Sequence, residues 1–425
     1  MDTLTVEQKI GILMSFAADD REGVPERPQP VRLRNATSER VGALRPLNIR
    51  PTTGPGGARV RLLRILMTNA CSFNCHYCPM RRDRNLPRTF LKPAELVRIF
   101  LEAVRLGWCE GLFLTTGIPG RPMKVLDDLI EVLELLRVTH RYGGYVHVKI
   151  VPGGDLTQVE RITALATRVS LNLETPCGDH LGAIAPEKQF ATAMASLERA
   201  TARVTESRLA ERDGRPRNPL APGGVAGMTT QFVVGATPDA DRAILMAARR
   251  LYRGGGVHHA HFSAFRPIRD TPMEQVPAAP ALREHRLYQV DHLLREYRFG
   301  LEEIAFDAGG NLPLGLDPKV AWALAHPERY PVDVRTATRE DLLRVPGVGP
   351  WSARAIVEAR RRTTIRDLAD LRKLGVVVGR AAGFLAVAGR RLSDVRWAEQ
   401  LGLWQAQDDV GARRTVYEFS PGTFR

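Results

Sequence analysis

Short apolar runs recur through the middle of the chain, near residues 61–67, 111–115, 145–151, 168–173, 228–234 and 257–265. Their length and flanking turn residues predict strands. Stretches with helical periodicity lie between them. Pro93 to Leu106 stops at Gly107, and Met123 to His140 stops near Gly143-Gly144. Asp155 with Gln158 three residues on predicts a capping box, and Thr237-Pro238 predicts an N-cap followed by proline at the first helical position. Strands alternating with helices build right-handed βαβ units and a parallel sheet. Six units are too few for a closed eight-fold barrel, so the fold expected is α/β, a partial (βα)6 TIM-like barrel.

The pattern also divides the chain. Residues 1–57 read as one short helix, Val6 to Phe16, and an irregular arm rich in Arg, Pro and Gly. The barrel occupies 58–330, with a further helix from Leu282 to Phe299 before a linker at Tyr330-Pro331. A small all-α module fills 331–396, and 397–425 is a tail. Residues 205–227, with Arg208, Arg212, Arg215 and Arg217 among Pro216, Pro219 and Pro222, read as a basic surface loop, either a solvated insertion or a binding element.

Alternation along the strands separates two faces. Val146, Val148 and Ile150 share one face of their strand, while Tyr145, His147 and Lys149 share the other. Val169, Leu171 and Leu173 oppose Ser170, Asn172 and Glu174. Thr229 goes with Gln231, and His259 with His261 and Ser263. The apolar set faces the outer helices and the polar set the interior. A barrel filled only for packing holds Val, Ile and Leu. A polar interior therefore predicts an occupied cavity, lined by Lys149, His147, His259 and His261 as candidate catalytic groups.

Composition narrows the class. The chain has 425 residues, 44% apolar and 25% charged, as expected of a folded globular protein. It lacks an apolar run of the roughly 18 residues a membrane span needs, and its start, Met1-Asp2-Thr3-Leu4, does not resemble a signal peptide. A cytoplasmic protein without a membrane partner is expected. The net charge is +14, which favours a polyanionic partner. From 335 to 396 there are 14 Arg and Lys against 6 Asp and Glu, so that short stretch holds most of the excess.

Three of the five cysteines crowd into Cys71-Ser-Phe-Asn-Cys75-His-Tyr-Cys78, directly after the first barrel strand. Three thiolates from one loop suit a 4Fe–4S cluster and leave its fourth iron open to a small molecule. Zinc is the alternative, with His76 or a distant group as fourth ligand, but the second short arm usual in zinc sites is missing. Cys109 and Cys177 stand alone and read as buried thiols.

Near the C-terminus, Thr336 to Arg360 reads as helix, Pro346-Gly347-Val348-Gly349 turn, helix. Gly347 and Gly349 let backbone approach a phosphate, the second helix directs N–H groups at it, and Arg354 and Arg360 add charge. Lys373 to Gly379 looks like a second, degenerate hairpin. A small helical protein-binding domain is the alternative.

The C-x-x-x-C-x-x-C spacing with Tyr77 before the last cysteine resembles the radical S-adenosylmethionine (SAM) superfamily. The resemblance implies a 4Fe–4S cluster on Cys71, Cys75 and Cys78, SAM on the open iron, and reductive cleavage to a 5′-deoxyadenosyl radical that abstracts hydrogen. It also implies a SAM-binding loop after the second strand, here Thr115-Thr116-Gly117-Ile118-Pro119. That loop lacks the family's acidic residue, so Thr116 and the carbonyls around Gly117 must serve. Asn172 and Glu174 match the ribose-binding position after the fourth strand, although Glu174 is equally readable as a surface carboxylate. Tyr77 and Gln231 complete the expected cofactor contacts. Barrel and hairpin together resemble radical SAM proteins described as DNA-modification or DNA-repair proteins, linked to a uracil-DNA-glycosylase-like partner. The resemblance rests on Asn74 to Pro79, Glu110 to Leu114, Leu171 to Glu174 and Thr338 to Pro346. It implies DNA gripped by its backbone without sequence reading, a flipped or single-stranded substrate base, and an external electron donor. An RNA-modifying enzyme and a non-catalytic iron–sulfur redox sensor on DNA are the other readings.

Overall fold

The computed structural model describes residues 4–17, 49–53, 59–214 and 227–393. Those up to Asp239, together with Ala247–Ala279, form one compact unit, and Ala240–Met246 with those from Pro280 onward form the other. The second unit thus begins upstream of residue 331, where the sequence pattern places the start of the hairpin module.

The first unit is built on a seven-stranded sheet in sequential order. Its strands are β1 (Ile49–Thr53), β2 (Arg59–Leu66), β3 (Gly111–Thr115), β4 (Tyr145–Lys149), β5 (Arg168–Ser170), β6 (Gly227–Val234) and β7 (Val257–Ala264). β2 to β7 are parallel and match the six expected strands, joined by helices such as Pro93–Arg105, Pro122–Glu134 and Leu156–Leu165. β1 corrects the reading of the arm as irregular throughout: it pairs antiparallel with β2. The run Ile-Arg-Pro-Thr-Thr carries no alternation and takes its strand form from the open edge beside it. The rest of the arm, residues 215–226 and the tail from 394 lie outside the described residues.

Local signals mostly hold. Asp155 Oδ1 accepts from Thr157 N–H at 2.7 Å and Gln158 Oε1 from Asp155 N–H at 3.0 Å, closing the predicted box. Two readings fail. Thr237 is not an N-cap: its hydroxyl donates to Asp239 Oδ2 at 2.6 Å, and the helix starts at Asp241. Arg208 and Arg212 are not in a loop but on the helix Phe190–Arg212, whose propensity outlasts the composition shift that suggested one.

Strand register bears out the two faces. Arg64 lies beside Phe113, Phe113 beside His147, Lys149 beside Ser170, Ser170 beside Thr229, and Thr229 beside His259. On the other face Val146, Val148 and Val169 are fully buried, as are Leu126, Leu129 and Ile162 of the helices. The inner face is graded along the strands. Toward their starts, Leu62, Phe113 and Tyr145 form an apolar plug; toward their carboxyl ends the row is polar.

The second unit carries helices Ala281–Glu296 and Pro318–Ala325, then the hairpin module. That module is not wholly helical: β8 (Val332–Asp333), β9 (Leu385–Val387) and β10 (Arg390–Arg391) form a small sheet. Strands of two or three residues leave no periodicity to read. Among the described residues no helix is long and apolar enough to cross a membrane.

Buried Arg137 ties the base of the barrel together. Its guanidinium donates to the carbonyls of Leu165, Gly144 and Tyr142 and to Thr167 Oγ1, just ahead of β4 and β5. Arg137→Met keeps much of the volume but strands these acceptors. A loss of about 3 kcal/mol in unfolding free energy is expected by denaturant titration.

Candidate cofactor site and helix-hairpin-helix module

The loop after β2 is held open by its neighbours rather than by its own secondary structure. Arg88 donates to four carbonyls of that loop: Asn69 at 2.6 Å, Met80 at 2.8 Å, Arg81 at 2.6 Å and Arg84 at 3.0 Å. The loop after β3 closes it from the other side. Gly117 N–H donates to Thr68 O at 2.7 Å, Ser72 N–H to Ile118 O at 2.7 Å, and Gly120 N–H to Ser72 Oγ at 2.7 Å. A Cβ on Gly117 would sit 2.2 Å from the Ala70 carbonyl, so this close approach admits only glycine.

Within this frame Cys71, Cys75 and Cys78 are free thiols. Burial pushes the Cys75 thiol up to about 11 and the Cys78 thiol up to about 12. Cys78 Sγ accepts the Met80 N–H at 3.4 Å. The helix Gly178–Ile184 packs over the loop, with Leu181 and Ala185 against Cys75 and the Ile184 carbonyl accepting the His76 N–H at 2.7 Å. Three free thiols on one braced turn, two of them sulfurs held out of water, form a soft donor set that fits an iron–sulfur cluster. Cys109 is buried as expected and lies just ahead of β3, at the opposite end of the strands. Cys177 is only half-buried and is not isolated, because His180 and Asp239 stand beside it.

Glu174 is not a surface carboxylate. It is 4% exposed, sits at φ +66°, and bridges to β6 by donating its N–H to the Gln231 carbonyl and accepting the Val233 N–H. Its Oε1 accepts from Lys188 Nζ at 2.7 Å, and Asn172 Nδ2 lies 3.4 Å from its Oε2. Lys188 also donates to the Tyr77 hydroxyl at 3.2 Å. Burial would depress the lysine, but the Glu174 carboxylate outweighs it and the ammonium is held above its usual range. Burial raises the Tyr77 hydroxyl strongly, so it stays protonated. Tyr77, Asn172 and Glu174 are thus brought together, with Lys188 as a member that no motif marked. Thr116 is buried beside Gly117 and donates to its carbonyl at 2.8 Å.

The inner-face candidates separate by depth. His147 is buried, within 2.9 Å of Ser170 Oγ and edge-on to Phe113. Lys149, Gln231, His259 and His261 are half-buried, and the two β7 histidines meet edge to face at 4.5 Å. Between Ser170 and His259, Thr229 Oγ1 is buried without a hydrogen-bond partner, the sign of a polar interior.

In the second unit Thr338 caps the helix Arg339–Arg344, accepting the Asp341 N–H at 3.1 Å, and Gly349-Pro350 opens the helix Pro350–Ala359. Gly347 has φ +82°, and a Cβ there would meet the Val377 carbonyl at 2.6 Å. Its own carbonyl accepts the Val377 N–H at 2.9 Å. What crowds Gly347 is therefore the second hairpin, which joins Leu368–Lys373 to Val378–Ala381. Gly375 answers it: φ is +74°, and a Cβ would strike Trp351 at 2.3 Å. Gly349 has ordinary φ and room for a methyl group. Arg354 is exposed, whereas Arg360 Nη1 is committed to the carbonyls of Ala337 at 2.6 Å and Val334 at 3.2 Å. Sequence reasoning missed Lys319, whose buried ammonium donates to the Val348 carbonyl at 2.6 Å inside the turn.

Residues 65–208 match the Radical SAM superfamily, and residues 332–359 match the helix-hairpin-helix motif. The chain thus carries a Radical SAM domain and, near its C-terminus, a helix-hairpin-helix motif. Radical SAM proteins bind a 4Fe–4S cluster and SAM. No curated protein matches the chain. Among solved structures, HydG, a maturase of the FeFe-hydrogenase, is 18% identical over 54% of this chain and 48% of its own, with a TM-score of 0.41. Methylornithine synthase is 13% identical over 53% of this chain and 59% of its own, with a TM-score of 0.40. The methyltransferase TsrM from Kitasatospora setae, solved with cobalamin and a 4Fe–4S cluster, is 14% identical over 49% and 38%, with a TM-score of 0.36. The aligned part spans about half the length of HydG.

After anaerobic reconstitution, iron analysis should show Cys75→Ala and Gly117→Val depleted of iron. Cys109→Ala should match the unmodified protein. In the module, Gly347→Val should lose about 3 kcal/mol of stability from backbone strain and the clash with Val377, read by thermal unfolding. Gly349→Ala should fold normally.

Proposed function

We propose that this enzyme modifies or repairs DNA. Cys71, Cys75 and Cys78 hold the 4Fe–4S cluster. Asn172, Glu174, Tyr77, Gln231 and the Thr116-Gly117 loop hold SAM. Together the two groups supply, when bound, a 5′-deoxyadenosyl radical for hydrogen abstraction. The protein's part is to orient and seal. Lys188 fixes the Glu174 carboxylate and the Tyr77 hydroxyl in one arrangement, so that the free carboxylate lone pairs and the Asn172 amide meet a ribose in a set geometry. The graded interior excludes water at the strand starts and leaves Lys149 at the carboxyl end of β4 and His259 and His261 in the first half and middle of β7, and one of the three positions substrate or moves a proton.

The observation that carries the nucleic-acid reading is the hairpin pair: two glycine turns locked back to back, with Arg354, Arg361, Arg362, Arg372 and Lys373 exposed around them. Such a module contacts phosphates and reads little sequence. A base reaches a radical only when flipped or single-stranded. The same grip accepts RNA, which is the second reading. A uracil-DNA-glycosylase-like partner and a separate electron donor complete the scheme.

The test incubates reduced, reconstituted enzyme and SAM with DNA or RNA. Released 5′-deoxyadenosine is followed, and nucleosides from the recovered polymer are analysed by mass spectrometry. A new nucleoside from DNA supports the reading; one from RNA alone replaces it. Polymer affinity should fall steeply with salt, and Arg354→Ala should lower the logarithmic salt slope by about one, equally across sequences. A salt-independent affinity would remove the phosphate grip.

A further inference from the structure

Outside the cofactor site, one cluster of metal-binding side chains stands out. Cys177 and His180 lie three residues apart, and Asp239 comes from the loop after β6; their donor atoms all lie within 4.8 Å of one another. His180 Nδ1 is 2.7 Å from Asp239 Oδ1, and the second carboxylate oxygen accepts from the Thr237 hydroxyl at 2.6 Å. Asp239 is 6% exposed and His180 36%, so the carboxylate is a buried anchor and the imidazole borders solvent. The backbone fixes both arms. Thr175 Oγ1 donates to the Cys177 carbonyl at 2.7 Å, and Glu174 ties the start of the same segment to β6.

We propose that Cys177, His180 and Asp239 bind one zinc-class divalent ion, separate from the thiols of Cys71, Cys75 and Cys78. One sulfur, one imidazole nitrogen and one carboxylate oxygen are the usual ligands of zinc, while a thiolate disfavours calcium and magnesium. Donors around a tetrahedral zinc lie roughly 3.3–3.8 Å apart given ordinary bond lengths, so the cluster closes on an ion with small side-chain shifts. Thr237 orients the carboxylate as an outer partner. Three protein ligands leave the fourth position for water or for an oxygen or nitrogen of substrate, as in catalytic rather than structural zinc sites. The helix that carries His180 also carries Leu181, which packs on Cys75.

The test loads full-length protein anaerobically with iron and sulfide, adds zinc, desalts, and counts both metals in the unmodified chain and in Cys177→Ser, His180→Gln and Asp239→Asn. About one zinc per chain is expected beside an unchanged iron content, with zinc lost and iron kept in the variants. Cobalt replaces zinc in a second measurement, in protein with Cys71, Cys75 and Cys78 all changed to alanine. A near-ultraviolet thiolate–cobalt band should persist there and vanish on adding Cys177→Ser. The proposal is overturned if the unmodified chain retains no zinc, if zinc enters only as iron leaves, if Cys177→Ser and His180→Gln retain it, or if the cobalt band is absent from the triple variant.

Discussion

A buried ion pair governs the end of the barrel that carries the three clustered cysteines. Glu174 and Lys188 sit at the two ends of the segment that follows β5, and neither charge is accessible enough for water to substitute for the partner. Breaking such a pair leaves an isolated charge in a poor solvent, at a cost of about 3–5 kcal/mol. The segment between them must therefore close back on itself, which lays the helix Gly178–Ile184 over Cys75. Lys188 then reaches Tyr77, within the cysteine motif itself. One electrostatic requirement thus couples the segment after β5 to the cysteine loop after β2, although Tyr77 and Lys188 are 111 residues apart in sequence.

The hairpin module obeys a steric constraint of the same kind. Gly347 and Gly375 each occupy the left-handed region, and each would drive a Cβ into the opposite hairpin. Their conformations and their packing depend on one another, so neither turn forms correctly alone. Buried Lys319, with its ammonium on the Val348 carbonyl, braces the first turn from behind. Burial lowers its proton affinity well below that of a surface lysine. Its role is local rigidity rather than charge offered to a polymer.

The periodic features were legible in the sequence. The six parallel strands, the two faces of each, the capping box at Asp155 and the paired hairpins all follow from local pattern. The cysteine spacing marked its loop because three ligands lie within eight residues. Partners distant along the chain were not legible. Lys188 and Arg88 hold the site through side chains that reach across loops, and nothing in their neighbours marks them. Cys177 read as solitary because its companion Asp239 lies after a further strand. Arg360 read as a phosphate ligand because charge is visible in sequence, whereas carbonyls that need a donor are not. β1 escaped because strand formation there is dictated by the neighbouring edge.

That edge strand has a consequence for the sheet's dealings with other chains. Arg61 turns its main chain toward β3: its N–H donates to Glu110 Oε2 at 3.0 Å and its carbonyl accepts the Glu110 N–H at 2.8 Å. Pro51, opposite Arg61 in the antiparallel register, therefore directs its nitrogen away from the sheet. A proline nitrogen has no hydrogen to give, so the outer rim of β1 lacks a donor at the middle of its five residues. A foreign strand approaching that rim finds a gap in the ladder where it needs a bond. Among the described residues the sheet is in this way terminated chemically on that side without closing into a ring, and stray strand addition is discouraged there.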